Sequence, residues 1–403
     1  ILGSVIEKFV SNNINLSNED VVDENGKVLM PALDNHDMGT VFEELLRRFN
    51  EENSVTEAGE HFTPRDIVEL MADLAFEPIK DSISDGTYLV YDGACGTGGI
   101  LTVADARLKE LSKLYHKKLS INIYGQELQD ETYATCKSDL LIKGEGTQAD
   151  NIFCGSTISN DGFSSMTFDF MISNPPFGTP WKKDIDVMTT KGKKEEITDY
   201  RFVTSFKDQA DYSMLPNVGD PQLLFLLNNV SKMKHTTTLG SRIVEVHNGS
   251  ALFTGEADSG ESNARRYIIE NDYLEAIIAL PNNIFYNTGI GTYLWVLSNR
   301  KAKCRKGKIQ LIDASSFKKS LRKKLGERSF EITEELRRQI LNLYFKFEDN
   351  EYSKIFNNED FGFTKITIEH PILDENNNPV LKKGKMVPNA DLRDSDSIPF
   401  NED

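Results

Sequence analysis

The stretch TYLVYDGACGTGGILTVADARLKEL, residues 87–111, carries three signals in a row. A run rich in Tyr, Leu and Val ends on Asp92 and reads as a buried strand. Gly93, Gly96, Gly98 and Gly99 then let the backbone turn tightly before a helical pattern starts. In nucleotide-binding folds such a turn meets phosphate at a helix N-terminus. Here the spacing is not G-x-G-x-x-G, and no Lys-Ser/Thr follows as in a P-loop. On its own the turn has two readings, a cofactor site or a strand-to-helix junction that needs close packing.

Reading outward, INIYGQEL is a second strand and ETYATCKSDLLIKG a second helix. ADNIFCGSTI is a short element and FDFMIS a further strand. Strands alternating with helices at this pace predict βαβ units, an α/β fold with a mostly parallel sheet and helices on both faces. Upstream, GEHFTPRDIVELMADLAF predicts a helix capped by Thr63, with Pro64 at its first position and Asp66 completing an acidic capping box. Residues 1–53 read as a short N-terminal helical segment interrupted by an Asn25-Gly26 turn. Downstream, residues 181–219 are polar and irregular, a loop or lid. PQLLFLLNNVSKM then resumes as a helix, and SRIVEVHNGS, YLEAIIALP and TYLWVLSNR as strands, with the helix ARRYIIEND between the first two. Beyond about Arg300 the pattern changes, and residues 301–403 read as a C-terminal α+β extension outside the wound sheet, leaving 54–300 as the catalytic domain.

Composition sets the frame. The chain has 403 residues, 39% hydrophobic and 27% charged, an ordinary globular balance. No apolar run approaches the ~18–20 residues of a membrane span, so no membrane partner is expected. ILGSVIEKFVSNN lacks the charged start and cleavage pattern of a signal peptide. Cys95, Cys136, Cys154 and Cys304 are scattered without CxxC spacing, so neither a zinc knuckle nor a disulfide framework is indicated and a cytoplasmic setting fits. The chain opens without Met and closes on polar DLRDSDSIPFNED, which reads as cut or trimmed at both ends. Net charge is −17, so much of any grip on DNA is expected to belong to something else. The lysines at 182–183, 191 and 193–194 and the runs RKAKCRKGK and KKSLRKK have two readings each, phosphate contacts or solvated loops.

Two further features bear on chemistry. Glu127 ends the second strand about 35 residues after Asp92, where an acid in a dinucleotide fold accepts hydrogen bonds from ribose hydroxyls. MISNPPFGTPW, residues 171–181, ends a strand on Asn174, Pro175, Pro176 and Phe177. The Asn174 amide oxygen and the Pro175 carbonyl can both accept hydrogen bonds, and the prolines hold the second rigidly. A target bearing an exocyclic NH2 would donate to both, with Phe177 stacking on its ring. A strand ending in a tight proline turn explains the prolines, but neither the Asn nor the ring.

DGACGTGG followed by NPPF resembles the amino-methylating class of S-adenosylmethionine-dependent DNA methyltransferases. The ordered set GEHFTPRDIVELM, YDGACGTGGIL, YGQEL, MISNPPFG, GDPQLLFL, GSALFTG, IIALPNNIFYNTGIGTYLWVLS and DFGFTKITIEHP resembles the modification (M) subunit of type I restriction–modification systems, over about nine-tenths of the chain. The resemblance implies a Rossmann-like S-adenosylmethionine-dependent methyltransferase that modifies adenine N6 in duplex DNA by flipping the base. It implies that Glu60, His61, Phe62, Thr63, Pro64 and Arg65 wrap the methionine end of S-adenosylmethionine. Asp92, Gly93, Thr97, Gly98 and Gly99 would hold the same end, Glu127 the ribose, and the surroundings of Asp150 and Asn151 the adenine. Asn174, Pro175, Pro176 and Phe177 would be catalytic, with Tyr286 and Asn287 completing the pocket. No metal is implied. Partners implied are DNA, a specificity (S) subunit that reads sequence and a second M subunit, in an assembly that restriction (R) subunits can join. Two positions depart from the family pattern: Gly93 stands where Pro is usual, and Ser156 where Asp or Asn is common. The family's longer N-terminal helical domain and C-terminal helical tail read as absent or shortened, 1–53 being a remnant of the first. The alternatives are methylation of RNA or of a protein glutamine, and a non-catalytic cofactor-binding assembly subunit.

Overall fold

A computed structural model describes residue 15 and residues 19–32, 63–143 and 145–400. The helical reading of MGTVFEELLRRFNEE falls outside the described residues. The Asn25-Gly26 turn does join a small hairpin, Val21–Val22 with Val28–Met30, and Gly26 takes φ 77° there.

The centre is one nine-stranded sheet. In chain order its strands are β1 (Gly86–Asp92), β2 (Leu119–Glu127), β3 (Ile152–Cys154), β4 (Phe170–Ser173), β5 (Arg242–Asn248), β6 (Leu274–Ala279), β7 (Thr292–Ser298), β8 (Lys308–Asp313) and β9 (Ser353–Asn357). Their order across the sheet is β9-β8-β6-β7-β5-β4-β1-β2-β3. From β5 to β3 every neighbour pair is parallel, while β7 runs antiparallel to β5 and β6, and β9 to β8. The mostly parallel Rossmann-like sheet is as expected.

Strand periodicity explains the layers, because successive side chains point to opposite faces. Val90, Phe170, Ile172, Val244 and Val296 enter one core, together with α1 (Arg65–Phe76) and α2 (Gly99–Leu114). Their neighbours Tyr91, Met171, Ile243 and Leu297 enter a second core, with α4 (Gln222–Ser231) and α5 (Gly260–Glu270). α3 (Asp130–Ile142) buries only Cys136, Asp139 and Leu140, its apolar pair joining the first core.

Two expectations change. Residues 181–219 are not an irregular loop: they carry a helix, Lys182–Met188, and a hairpin, Val203–Phe206 with Gln209–Ser213. Trp181, Ile185, Phe202 and Tyr212 are buried in the second core, an apolar set whose spacing is hidden between charged residues. Residues beyond 300 are not all outside the sheet either. β8 pairs parallel with β6, β9 adds the antiparallel edge, and α6 (Glu334–Lys346) packs Ile340, Leu341 and Tyr344 into the first core. The last part, with Phe363–Ile368 paired to Asp394–Pro399, does stand apart from the sheet.

Candidate active site

The chain runs β1, β2, β3 outward in one direction, then crosses back so that β4 lies on the other side of β1. In open α/β sheets the crevice at such a reversal, outside the strands' C-terminal ends, is where ligands bind. Asp92 ends β1 and Asn174 follows β4, so both flank it. A cleft of about 270 Å³ opens there. Its wall includes Thr63, Gly93, Thr97, Gly99, Glu127 and residues 174–177.

Asp92 is fully buried. Its Oδ1 accepts from the Ala94 amide at 3.0 Å and from the Ser173 hydroxyl, whereas its Oδ2 has no partner. Burial pushes its pKa up from 3.8 to about 7; the Ser173 and Ala94 hydrogen bonds oppose this, and the charges of Glu127 and Glu245 add to it. Between those values the folded chain keeps a proton that the unfolded chain releases. Asp92 therefore contributes stability at low pH that is lost as pH rises from about 4 through about 7. Asp92→Asn is expected to flatten that fall in the apo chain's thermal midpoint. Parallel midpoint–pH profiles for the two proteins would contradict the assignment.

Glu127 is nearly buried, and each of its oxygens accepts one backbone hydrogen bond, from Gly96 at 3.1 Å and from Gln129 at 2.8 Å. These fix the carboxylate and leave a second acceptor direction on each oxygen. The turn itself needs its glycines. Gly98 has φ 87°, and a Cβ there would come within 2.8 Å of Cys136 Sγ on α3. Gly98 thus packs against α3 and does not line the cleft, unlike its neighbours Thr97 and Gly99.

Asn174 has the most informative side chain. Its Nδ2 donates to Thr63 Oγ1 at 3.0 Å, and its Oδ1 is buried with no partner. Thr63 is therefore not the helix cap that the sequence suggests. Pro64 occupies the N-cap position, and the carboxylate of Asp66 bonds Arg328 and the Ile332 amide instead of closing a capping box. Long-range partners have displaced a local motif. Pro175 is buried, Pro176 exposed, and Phe177 half-buried with its ring on the cleft.

Other expected residues fall elsewhere. Glu60, His61 and Phe62 lie outside the described residues. Pro64 is buried, and exposed Arg65 pairs with Glu69 at 3.3 Å, away from the cleft. Asp150 is exposed and Asn151 offers its carbonyl to Gly125; neither lines the cleft. Because β3 ends at Cys154, the wall on that side is made by residues 155–158. Tyr286 is buried, its hydroxyl accepting from Arg328 at 2.8 Å, and Phe285 and Asn287 line the cleft in its place. Sequence reasoning also missed Trp181 and Asp184, brought to the wall by the 181–219 segment. Asp184 Oδ1 accepts from the Ser156 and Ser159 hydroxyls at 2.5 and 2.6 Å, which sets a carboxylate beside Ser156, the position where the resemblance implies Asp or Asn. The wall holds the carboxylates of Glu127 and Asp184, and among the described residues no lysine or arginine lines it.

Sheet order and the cleft at the switch point define a Rossmann-like α/β fold with its ligand crevice at the strands' C-terminal ends. The model of the N-6 DNA methylase family matches residues 33–377, and the chain belongs to that family. Among relatives, it is 29% identical over 372 residues to the type I restriction enzyme MjaIX methylase subunit of Methanocaldococcus jannaschii, covering 90% of this chain and 57% of that one. It is 28% identical to the MpnII methylase subunit of Mycoplasma pneumoniae, over 69% of this chain and 46% of that one. The chain thus spans about half the length of these relatives. A type I restriction–modification methyltransferase subunit from Streptococcus thermophilus superposes with TM-score 0.63 at 23% identity, over 81% of this chain and 61% of that structure, a likeness of fold. Among the described residues no helix is long and apolar enough to cross a membrane.

Proposed function

We propose that the chain is the catalytic part of a type I modification subunit, transferring a methyl group from S-adenosylmethionine to N6 of a flipped adenine in duplex DNA. The observation that carries this reading is the unpartnered, buried Oδ1 of Asn174 at the switch point. A buried acceptor without a donor costs about 1–3 kcal/mol, a cost that is offset when a substrate N–H arrives.

The donor set fits the cofactor. S-adenosylmethionine bears a sulfonium and an ammonium against one carboxylate, and the wall is acidic. Glu127 would take the ribose hydroxyls, with the Gly96 and Gln129 amides keeping its oxygens aimed. Thr97 and Gly99 would border the methionine end, together with Thr63 and the carboxyl of Asp92 beneath. Bound there, the cofactor supplies an electrophilic methyl group.

Adenine N6 is a poor nucleophile because its lone pair is delocalised into the ring. Asn174 Oδ1 and the Pro175 carbonyl would accept its two N–H bonds and favour a tetrahedral nitrogen, a transition-state interaction. Thr63 fixes which way the Asn174 amide faces. Phe177 would stack on the extruded base. The N6 proton leaves after alkylation, so no base of matched pKa is needed first.

Sequence reading would come from a separate S subunit, in an assembly holding a second M subunit and able to take R subunits. The acidic net charge of the chain supports this division of labour. The test is transfer of labelled methyl to duplex DNA, RNA and protein, with and without an S subunit. Transfer to duplex DNA that rises with the S subunit supports the reading; label found only in RNA or protein would overturn it.

A further inference from the structure

The two long basic runs look alike in sequence and have different fates. In RKAKCRKGK three of the six cations, Arg300, Lys301 and Arg305, are used internally, while Lys303, Lys306 and Lys308 are exposed. Buried Lys301 bonds Asp272 at 2.6 Å and the Lys308 carbonyl at 3.0 Å. Buried Arg305 bonds Gln310 and the Tyr344 carbonyl and lies over the Tyr344 ring at 4.0 Å. Arg300 caps the His235 and Asn299 carbonyls. That run holds β8 and α6 in place.

KKSLRKK instead forms one arm of a hairpin, Lys319–Leu325 paired with Arg328–Glu331. Leu321 and Leu325 are half-buried, while Lys318, Lys319, Arg322, Lys323 and Lys324 are exposed. Lys319–Glu331 and Lys324–Glu327 are exposed pairs at 3.5 Å, a kind that contributes little. Arg322 and Lys323 have no acidic partner among the described residues. On a chain of net charge −17 this is a local excess of positive charge.

Its position is fixed with respect to the cleft. The Glu327 amide donates to the Tyr286 carbonyl at 2.8 Å and the Ser329 amide to the Asn283 carbonyl at 2.9 Å. Tyr286 lies between Phe285 and Asn287, both on the cleft wall. Buried Arg328, which pairs with Leu325 beside the Gly326-Glu327 turn, clamps the turn end of the hairpin, bonding Tyr286 Oη at 2.8 Å and Asp66 at 2.7 Å. Asp66 opens the helix that follows Thr63, the partner of Asn174. One guanidinium therefore ties the basic hairpin to the two segments, 63–66 and 285–287, that reach the cleft.

We infer that the 319–331 hairpin is a phosphate-binding finger that grips the DNA backbone beside the flipped base and holds the duplex over the cleft. This rests on the DNA-methyltransferase reading and adds where the acidic chain touches its polyanion. Phosphate contacts position without reading sequence, which suits a subunit whose specificity lies in a partner. Free Arg322 and Lys323 would each displace counterions from one phosphate.

The test uses the double variant Arg322→Gln, Lys323→Gln, both exposed and outside the cleft. Binding of a labelled duplex is followed between about 50 and 200 mM salt. Two lost contacts are expected to make the log Kd against log salt slope shallower by about 2, and to weaken binding at least about tenfold near 100 mM. Binding of S-adenosylmethionine is expected to stay within about twofold, since the substitutions lie off the cleft. Unchanged slope and affinity would overturn the finger and leave the enzyme reading intact. Loss of S-subunit binding with the DNA slope unchanged would overturn it too, reassigning the hairpin to a protein contact. Failure of the unsubstituted chain to bind or methylate duplex DNA, even with an S subunit, would overturn the enzyme reading itself.

Discussion

Asn174→Ala is expected to lower methyl transfer by about 10³-fold while S-adenosylmethionine affinity changes by less than about threefold. The magnitude follows from losing one preorganised partner of the reacting nitrogen, an effect of about 10²–10³ in comparable sites. The binding half follows from geometry: the Asn174 side chain bonds Thr63 through Nδ2 and turns a free Oδ1 away from any protein donor. If Asn174 only ended a strand, alanine would cost one hydrogen bond, about 1 kcal/mol, and transfer would fall by no more than about tenfold. Single-turnover rates alongside calorimetric cofactor binding separate the two cases.

Arg201→Ala is expected to cost about 3–5 kcal/mol of stability, the range for removing one partner of a buried charge network. Arg201 is 5% exposed. Its guanidinium bonds Asp199, the Thr157 carbonyl at 2.7 Å, the Ile158 carbonyl at 2.6 Å and Asn228 at 3.0 Å, and lies 3.5 Å from Asp161. Alanine leaves two carbonyls unpaired and Asp199 without its cation; Asp161 keeps only Lys232. Because Thr157 and Ile158 line the cleft, cofactor affinity is expected to weaken as well. Arg201→Lys keeps the charge without the fork and should restore only part of the loss. Denaturant unfolding within about 1 kcal/mol of the parent would show that the 181–219 segment is not held this way.

The sheet's centre was legible because its signals are local. Val90 and Tyr91 alternate between two cores, glycines mark the turn, and Glu127 and Asn174 stand at strand ends by sequence alone. What was not legible depends on distant partners. The Thr63-Pro64-Asp66 triplet is a sound capping box locally, yet Asn174, 111 positions away, takes Thr63, and Arg328 takes Asp66. The buried residues of 181–219 lack any period because that segment is packed by a few anchors and one arginine. β8 was hidden by the basic run before it, in which Lys301 and Arg305 are buried internal ligands. Asp150 and Asn151 precede β3 and stay off the cleft, whereas residues 155–158 follow its C-terminal end and line it.

The most direct measurement is where the methyl group goes. Duplex DNA methylated by the chain with its S subunit, digested to nucleosides and resolved by mass, is predicted to carry its label in N6-methyladenine alone. Asn174→Ala is predicted to lower the N6-methyladenine formed in equal time by about 10³-fold. Label in a methylated cytosine, or an undiminished N6-methyladenine yield from the variant, would contradict the two-carbonyl cradle on which the account rests.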